Sequence, residues 1–212
     1  PDTRDFKAEV IMQKQHRISF DHAVRIAGAR IVEVGSPHET ALADIEAALS
    51  EQTAAVLHMA LEPQPTAALS EVAALAHAHG VPVIVDAAAE LPPVSNLRAF
   101  LNEGADLVIF SGGKAICGPN DSGILCGRGD LIEAATAQAF PNPGIGRALK
   151  VSKEQIVGLV YALRRFANTD FEAETTRWQE RCQCMCDGLQ GLACAQAKIA
   201  MATGGARPLV IP

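Results

Sequence analysis

Two residues that mean little apart carry the chemistry of this sequence when read together. Lys114 follows a short apolar run, Leu107-Val108-Ile109-Phe110, through Ser111-Gly112-Gly113, and Asp86 closes an earlier run, Val83-Ile84-Val85. Short apolar runs set between helical patterns read as strands of a parallel sheet covered on both faces. Ligands of such sheets bind beyond the carboxyl ends of the strands, so an anion and an amine are expected at one crevice. A carboxylate that can hold a pyridinium nitrogen and a lysine that can form a Schiff base are what pyridoxal phosphate chemistry asks of a protein.

Each residue also has a plainer reading. A lysine after two glycines is an ordinary loop charge, and an aspartate at a strand end is an Asx turn or a helix cap. Against the first, the glycines permit close approach of the backbone to a ligand, and Ser111 offers a hydroxyl suited to phosphate. Ala88, two residues after Asp86, leaves flat space where a ring can lie. Asp86 alone favours the turn; paired with Lys114 it favours the site.

The elements that must position this pair are legible from patterning. Strands are expected at 9–12, 30–34, 54–59, 83–86, 107–110 and 123–126. Helical patterns lie between them: 18–28, stopped by Gly28; a stripe of Leu42, Ile45, Ala48 and Leu49; and a second of Leu69, Val72, Ala73 and Ala76, ended by Gly80 and Pro82. Strand and helix alternating at this interval give right-handed crossovers and a mostly parallel sheet. The strand at 123–126 follows Lys114 too closely for a helical crossover and is expected antiparallel to its neighbour. From Ser152 onward the pattern is wholly helical, with Ser152 and Gln155 as a capping box and a long helix from about 171 to 189.

Composition narrows the classes. The chain has 212 residues, a formal charge of −6, 49% hydrophobic and 4% aromatic residues, which suits one sizeable helix-rich α/β unit. The acidic balance argues against a broad nucleic-acid surface, and no apolar run is long enough to span a bilayer. The first residues do not resemble a signal peptide, and six cysteines read as reduced thiols of a cytoplasmic protein. Cys182, Cys184 and Cys186 fall in a helical stretch where the first two point about 200° apart, so thiols are expected there and no metal. Cys117 and Cys126 read as small core residues, and His77 and His79 as cations at the carboxyl end of a helix.

At the level of motifs, Val81 to Pro93 resembles the aspartate-bearing strand of aspartate-aminotransferase-type (fold type I) pyridoxal phosphate enzymes. Phe110-Ser111-Gly112-Gly113-Lys114-Ala115-Ile116-Cys117-Gly118-Pro119 resembles the lysine segment of the SelA-like, selenocysteine synthase branch. Asp21-His22-Ala23-Val24-Arg25, Val32-Glu33-Val34-Gly35 and Ile145 to Val151 fit the same branch, and within it the D-glucosaminate-6-phosphate ammonia-lyase group is most alike. The resemblance implies pyridoxal 5′-phosphate as cofactor, Lys114 as the Schiff-base residue, Asp86 as partner of the ring nitrogen, and Ser111 as a phosphate contact. His16 resembles a position whose imidazole stacks on the cofactor; read by itself it is a surface histidine. Arg147 and Lys150 match a basic pair that meets an anionic substrate group. Asn120 departs from the glutamine expected in the lysine segment.

The resemblance further implies a large cofactor domain over 1–150 and a helical connection with the start of a small domain over 151–212. It implies a lyase that removes ammonia from a phosphorylated amino-sugar acid such as D-glucosaminate 6-phosphate, in at least a homodimer. A selenocysteine synthase acting on seryl-tRNA is the alternative enzyme, and a non-catalytic binding or scaffold remnant is the alternative of another class. The phosphate-cradling loop of the family falls upstream of the first strand here, so the sequence is expected to be a piece of a longer polypeptide.

Overall fold

The computed structural model describes residues 6–60, 66–190, 192, 197–201 and 208–211. In chain order the elements are β1 (Glu9–Gln13), α1 (His22–Ile26), β2 (Arg30–Val34), α2 (Leu42–Ala48), β3 (Thr53–Met59), α3 (Leu69–Ala78), β4 (Val83–Asp86), α4 (Asn96–Asn102), β5 (Leu107–Ser111), β6 (Gly123–Gly127), α5 (Gly129–Gln138), α6 (Lys153–Ala167), α7 (Phe171–Leu189), β7 (Lys198–Met201) and β8 (Pro208–Ile211). Short 3-10 turns at Lys14–His16 and Ser19–Asp21 join β1 to α1.

The main sheet has the order β2-β1-β3-β4-β5-β6, parallel throughout except for β6, which runs antiparallel to β5 as its short connection requires. Registers align Met59 with Asp86 and Asp86 with Ile109. Strand placement follows the apolar runs because β-branched residues pack well on a pleated, buried surface. Gly28 ends α1 with φ of 90° and Gly80 ends α3 with φ of 67°, conformations that cost a side-chain-bearing residue more.

One face of the sheet is covered. Ile11, Val56, Val83, Val85, Val108 and Phe110 pack there against Ile45 of α2, Leu69, Val72 and Ala76 of α3, and Ala162 and Phe166 of α6. The other face departs from the expectation of two covered faces. Ile109 and Leu125 are 37% and 40% exposed, whereas Val108 and Phe110 between them are 1% exposed. Met12, Leu57, Met59, Ile84 and Ile109 instead floor an apolar groove of about 340 Å³, walled by the segment from Ile18 to Ala29 and with Asp86 in its lining.

The carboxy-terminal region is not wholly helical: β7 and β8 form a separate antiparallel pair after α7. Alternation there is short and spans only four residues per strand, too little to outweigh the helical run before it. Helices α4 and α5 also went beyond the sequence reading. Helix α4 sets Leu97, Phe100 and Leu101 against the core within a seven-residue span, and neither helix buries a residue completely.

Candidate functional site

The two residues with which the sequence reading began leave adjacent parallel strands at the same edge of the sheet. Asp86 is the last residue of β4, and Ala87 N–H donates to the Ile109 carbonyl at 3.0 Å, which keeps β4 and β5 together to that point. Lys114 follows three residues after β5 ends. Asp86 is half-buried and lies on the groove face; Lys114 is exposed. The plain reading of Asp86 is also fulfilled: Ala88 N–H donates to Asp86 Oδ1 at 3.0 Å, an Asx turn that fixes the carboxylate at the strand end. The turn leaves the carboxylate with a fixed orientation at the groove end of β4.

The glycines before Lys114 permit close packing within the chain. A Cβ on Gly112 would meet Ser122 Oγ and stand 2.8 Å from Leu159 Cδ1, and one on Gly113 would stand 2.6 Å from Asn120 Cα. The close approach they permit is to the chain's own 118–122 segment and α6. Gly112 N–H donates to the Ser122 carbonyl at 2.9 Å and Gly118 N–H to the Gly112 carbonyl at 2.8 Å, closing the loop on itself. Asn120, the departure noted in the sequence, sits against Gly113 in this loop. Ser111 ends β5 half-buried, paired with Gly123 across the hairpin. Cys117 is exposed with φ of 58°, so it is not a core residue; Cys126 is half-buried.

His16 is buried, 1% exposed, which corrects its reading as a surface histidine and leaves neither face of its ring open. Its Nδ1 accepts from Met59 N–H at 3.3 Å, and its ring meets that of His58 edge-on with centroids 4.5 Å apart. Burial pushes His16 down to about 3, with the neighbouring His58 adding to the effect, and pushes His58 down to about 4. Both imidazoles are therefore neutral at physiological pH. Gln13 completes the group: Nε2 lies 3.4 Å from His58 Nδ1, and Oε1 accepts from Ala67 N–H at 2.9 Å. Nothing in the sequence marks Gln13 or His58 beyond their polarity within strands.

Arg147 and Lys150 lie in the turn-rich segment before α6, both exposed. The structure brings them together over one ring: Arg147 Cζ stands 4.7 Å and Lys150 Nζ 4.6 Å from the centroid of Phe140. Arg147 also donates to the Pro141 carbonyl at 2.9 Å. Among the described residues neither cation has a carboxylate within ion-pair distance, whereas Arg17, Arg25, Arg30, Arg128 and Arg177 do. Each cation is thus held against the Phe140 ring. Phe140 carried no signal in the sequence.

Other candidates resolve differently. His77 does more than meet a helix end: its Nε2 lies 2.8 Å from Asp106 Oδ2, which also accepts from Val83 N–H at 2.8 Å, while Asp106 Oδ1 accepts from Arg128 at 2.7 Å. This cluster sits at the opposite, amino edge of the sheet. Cys182 and Cys186 are buried on one side of α7 and Cys184 is exposed. No helix among the described residues is long and apolar enough to cross a membrane.

Comparison with known proteins agrees with this fold. Residues 15–179 match the family model described as SelA: L-seryl-tRNA selenium transferase. The chain is 38% identical over 190 residues to the 5′-C-glycyluridine monooxygenase-decarboxylase of a Streptomyces species, covering 85% of this chain and 46% of that protein. It is 39% identical over 173 residues to the D-glucosaminate-6-phosphate ammonia lyase of Salmonella typhimurium, covering 78% and 45%. Identity to the L-seryl-tRNA(Sec) selenium transferase of Desulfovibrio desulfuricans is 30%, covering 76% and 37%. A solved D-glucosaminate-6-phosphate ammonia-lyase superposes with a TM-score of 0.83 at 33% identity, over 99% of this chain and 55% of that one. The pyridoxal-5′-phosphate dependent protein YhfS from Escherichia coli has the same fold, with a TM-score of 0.60 at 19% identity over 93% and 52%. The architecture is that of the fold type I large domain, and the chain spans about half the length of the curated relatives it matches.

Proposed function

Because the chain belongs to the SelA, L-seryl-tRNA selenium transferase, family, we propose that it forms the cofactor-binding part of a pyridoxal-phosphate-dependent carbon–nitrogen lyase. Its substrate in this reading is a phosphorylated amino-sugar acid such as D-glucosaminate 6-phosphate. The observation that carries the reading is that Asp86 ends β4 and Lys114 follows the end of adjacent, parallel β5 by three residues, at the same carboxyl edge. The residues fit the group: a half-buried, oriented carboxylate, an exposed amine on a loop held from below, the small side chain of Ala88, and the Ser111 hydroxyl.

Pyridoxal phosphate, when bound, supplies an electron sink for charge developing at the substrate α-carbon. In this reading Asp86 keeps the ring nitrogen protonated, Ser111 contributes to holding the phosphate, and Ala88 leaves room for the ring. The Lys114 amine would hold the cofactor and, once free, would be placed to take the proton from the substrate α-carbon. The net change in this reading is loss of ammonia from the amino-sugar acid phosphate, the water lost and the water gained cancelling, to give a 2-keto-3-deoxy acid phosphate. Arg147 and Lys150 bind the substrate phosphate or carboxylate, supported by their lack of carboxylate partners among the described residues. His16 enters through the strand end it holds.

The reading includes a division near residue 150, with the segment beyond it a connection toward a small domain. Helix α6 still packs on the large sheet through Leu159, Ala162 and Phe166, while β7 and β8 pair with one another. It also includes a cytoplasmic location, supported by free thiols at the described cysteines, and a homodimer or larger homo-oligomer, supported by the open sheet face. A second reading, a decarboxylating oxygenation, draws on the near-equal identity to the Streptomyces enzyme.

The deciding experiment titrates the protein with pyridoxal phosphate, before and after borohydride, beside Lys114→Ala. A reducible visible band that depends on Lys114 leads to a substrate panel of D-glucosaminate 6-phosphate and 5′-C-glycyluridine with oxygen. Ammonia and keto acid from the first compound uphold the lyase; turnover of the second alone transfers the function to the second reading. A band that persists in Lys114→Ala removes both.

A further inference from the structure

The parallel ladder explains why a histidine is buried at 16. Val56 N–H donates to the Pro82 carbonyl and Ala60 N–H to the Asp86 carbonyl, so even-numbered amides of β3 face β4. The odd-numbered amides therefore face β1. The last register pair on that side is Met12 with Leu57, because β1 ends at Gln13 and the chain turns away through Lys14–His16. Met59 N–H is thus left facing a strand that has ended. The imidazole of His16 takes the missing carbonyl's place, accepting that N–H at Nδ1.

This matters because Met59 is in direct register with Asp86. An unpaired N–H at that point would be buried and costly, and would loosen the end of β3 against which Asp86 is aligned. An acceptor at Nδ1 requires an unprotonated Nδ1 and a proton on Nε2, hence a neutral ring. The surroundings enforce that state. His58 stands edge-on to the ring, Gln13 holds His58, and Gln13 is itself fixed to the Ala67 backbone. All three polar side chains are at least nine-tenths buried, a dry environment in which a charged imidazole is penalised; both histidines are accordingly pushed well below their ordinary value.

We propose that His16 is a positioning residue, a neutral Nε2–H imidazole that completes the β3 ladder at Met59 and so fixes Asp86, with His58 and Gln13 holding its ring. This rests on the reading of Asp86 as the cofactor's partner. It differs from a stacking role in what the side chain must supply: a hydrogen-bond acceptor rather than an aromatic face.

Two variants separate the roles. Gln at 16 supplies an acceptor without a ring, and Phe supplies a ring without an acceptor. The protein is labelled with 15N at histidine and backbone, and the ring nitrogens and the Met59 amide are followed by NMR, with pyridoxal phosphate capture read by absorbance. The expected wild-type result is a pyrrole-like Nε2 and a pyridine-like Nδ1 for His16 at neutral pH, with a protected Met59 amide. His16→Gln retains Met59 protection and captures cofactor within about threefold of wild type, while His16→Phe loses protection and captures it about tenfold more weakly, the scale of one orphaned buried donor. A proton on Nδ1, a charged His16, or rescue by Phe rather than Gln overturns the proposal. The wild-type tautomer stands even if His16→Phe does not fold. Failure of the wild type to capture cofactor at all, with the tautomer and Met59 results as expected, overturns the reading of Asp86 and not the ladder role of His16.

Discussion

Leu159 of α6 packs directly over Gly112, so close that a methyl group placed on that glycine would stand 2.8 Å from Leu159 Cδ1. The same methyl would collide with the Ser122 hydroxyl. Overpacking of this kind costs about 1–3 kcal/mol, so Gly112→Ala is expected to lower the denaturant midpoint and displace the lysine loop. Gly188→Ala is the contrast. It lies exposed in α7 with nothing within 4 Å of an added Cβ, and should stabilise by about 0.5–1 kcal/mol. Equilibrium urea unfolding of both variants checks the pair.

Lys114→Ala should leave thermal stability unchanged, because the side chain is exposed, yet abolish the borohydride-stable adduct with pyridoxal phosphate. Asp86→Asn keeps an oxygen for the Ala88 N–H but removes the charge. The adduct should still form, with turnover reduced about 10²-fold, the scale of one lost electrostatic contact in the transition state. Mass spectrometry of the reduced adduct and steady-state rates decide both.

Phe140 gathers Arg147 and Lys150, and its removal should act through binding alone. Arg147→Ala is expected to raise KM for a phosphorylated substrate about tenfold or more, the scale of a hydrogen bond to a charged group. Phe140→Leu is expected to raise KM by a smaller factor, about threefold, for the loss of ring–cation contacts. In both, kcat changes little. A fall in kcat with unchanged KM would remove the segment from substrate binding.

Acid should weaken the fold through the buried histidine pair. In the native state the two rings resist protonation to about 3 and about 4, whereas in the unfolded chain they protonate near 6.5. The unfolded state then binds more protons, so stability is full above pH 6.5 and declines as pH falls from there toward 4. Denaturant midpoints measured between about pH 7 and 5, above the carboxylate range, should slope downward, and a His16→Gln/His58→Gln double variant should flatten the slope.

Asp106→Ala should cost about 1–3 kcal/mol, because it leaves the buried Val83 N–H without its acceptor. His77 and Arg128 are more exposed partners and lose less. Removing Arg128 alone should therefore cost less than removing Asp106, as thermal melts of the two variants would report.

The parts of this architecture that could be read in advance are those governed by period and composition. β2 and β4 begin and end where their apolar runs do, α7 spans the expected 171–189, and the reversed direction of β6 follows from a loop length alone. What escaped reading depends on long-range packing. The glycines before Lys114 carry the same letters whether they face a ligand or Leu159, and only α6, some forty residues onward, decides. Phe140 looks like any loop aromatic until two cations fold over it. The burial of His16 depends on the β1–β3 pairing ending at Met12 and Leu57, two residues before β3 does, a difference in strand length that no local pattern records. The open sheet face was likewise invisible, since Ile109 has the same apolar character as the buried Val108 and Phe110 beside it.

The hairpin of β5 and β6 is fastened at both ends. Arg128, just past β6, joins Asp106, just before β5, through a 2.8 Å backbone bond and a 2.7 Å ion pair. At the far end Gly112 and Ser122 are bonded under Leu159. A ribbon clamped so is expected to resist hinge motion. What freedom Lys114 keeps is the rotamer exchange of an exposed side chain, which runs on the picosecond-to-nanosecond scale. The amine is thus a fast-moving tip on a stationary mount, and nuclear relaxation should find rigid amides from Leu107 to Ser111 beside a mobile ammonium group.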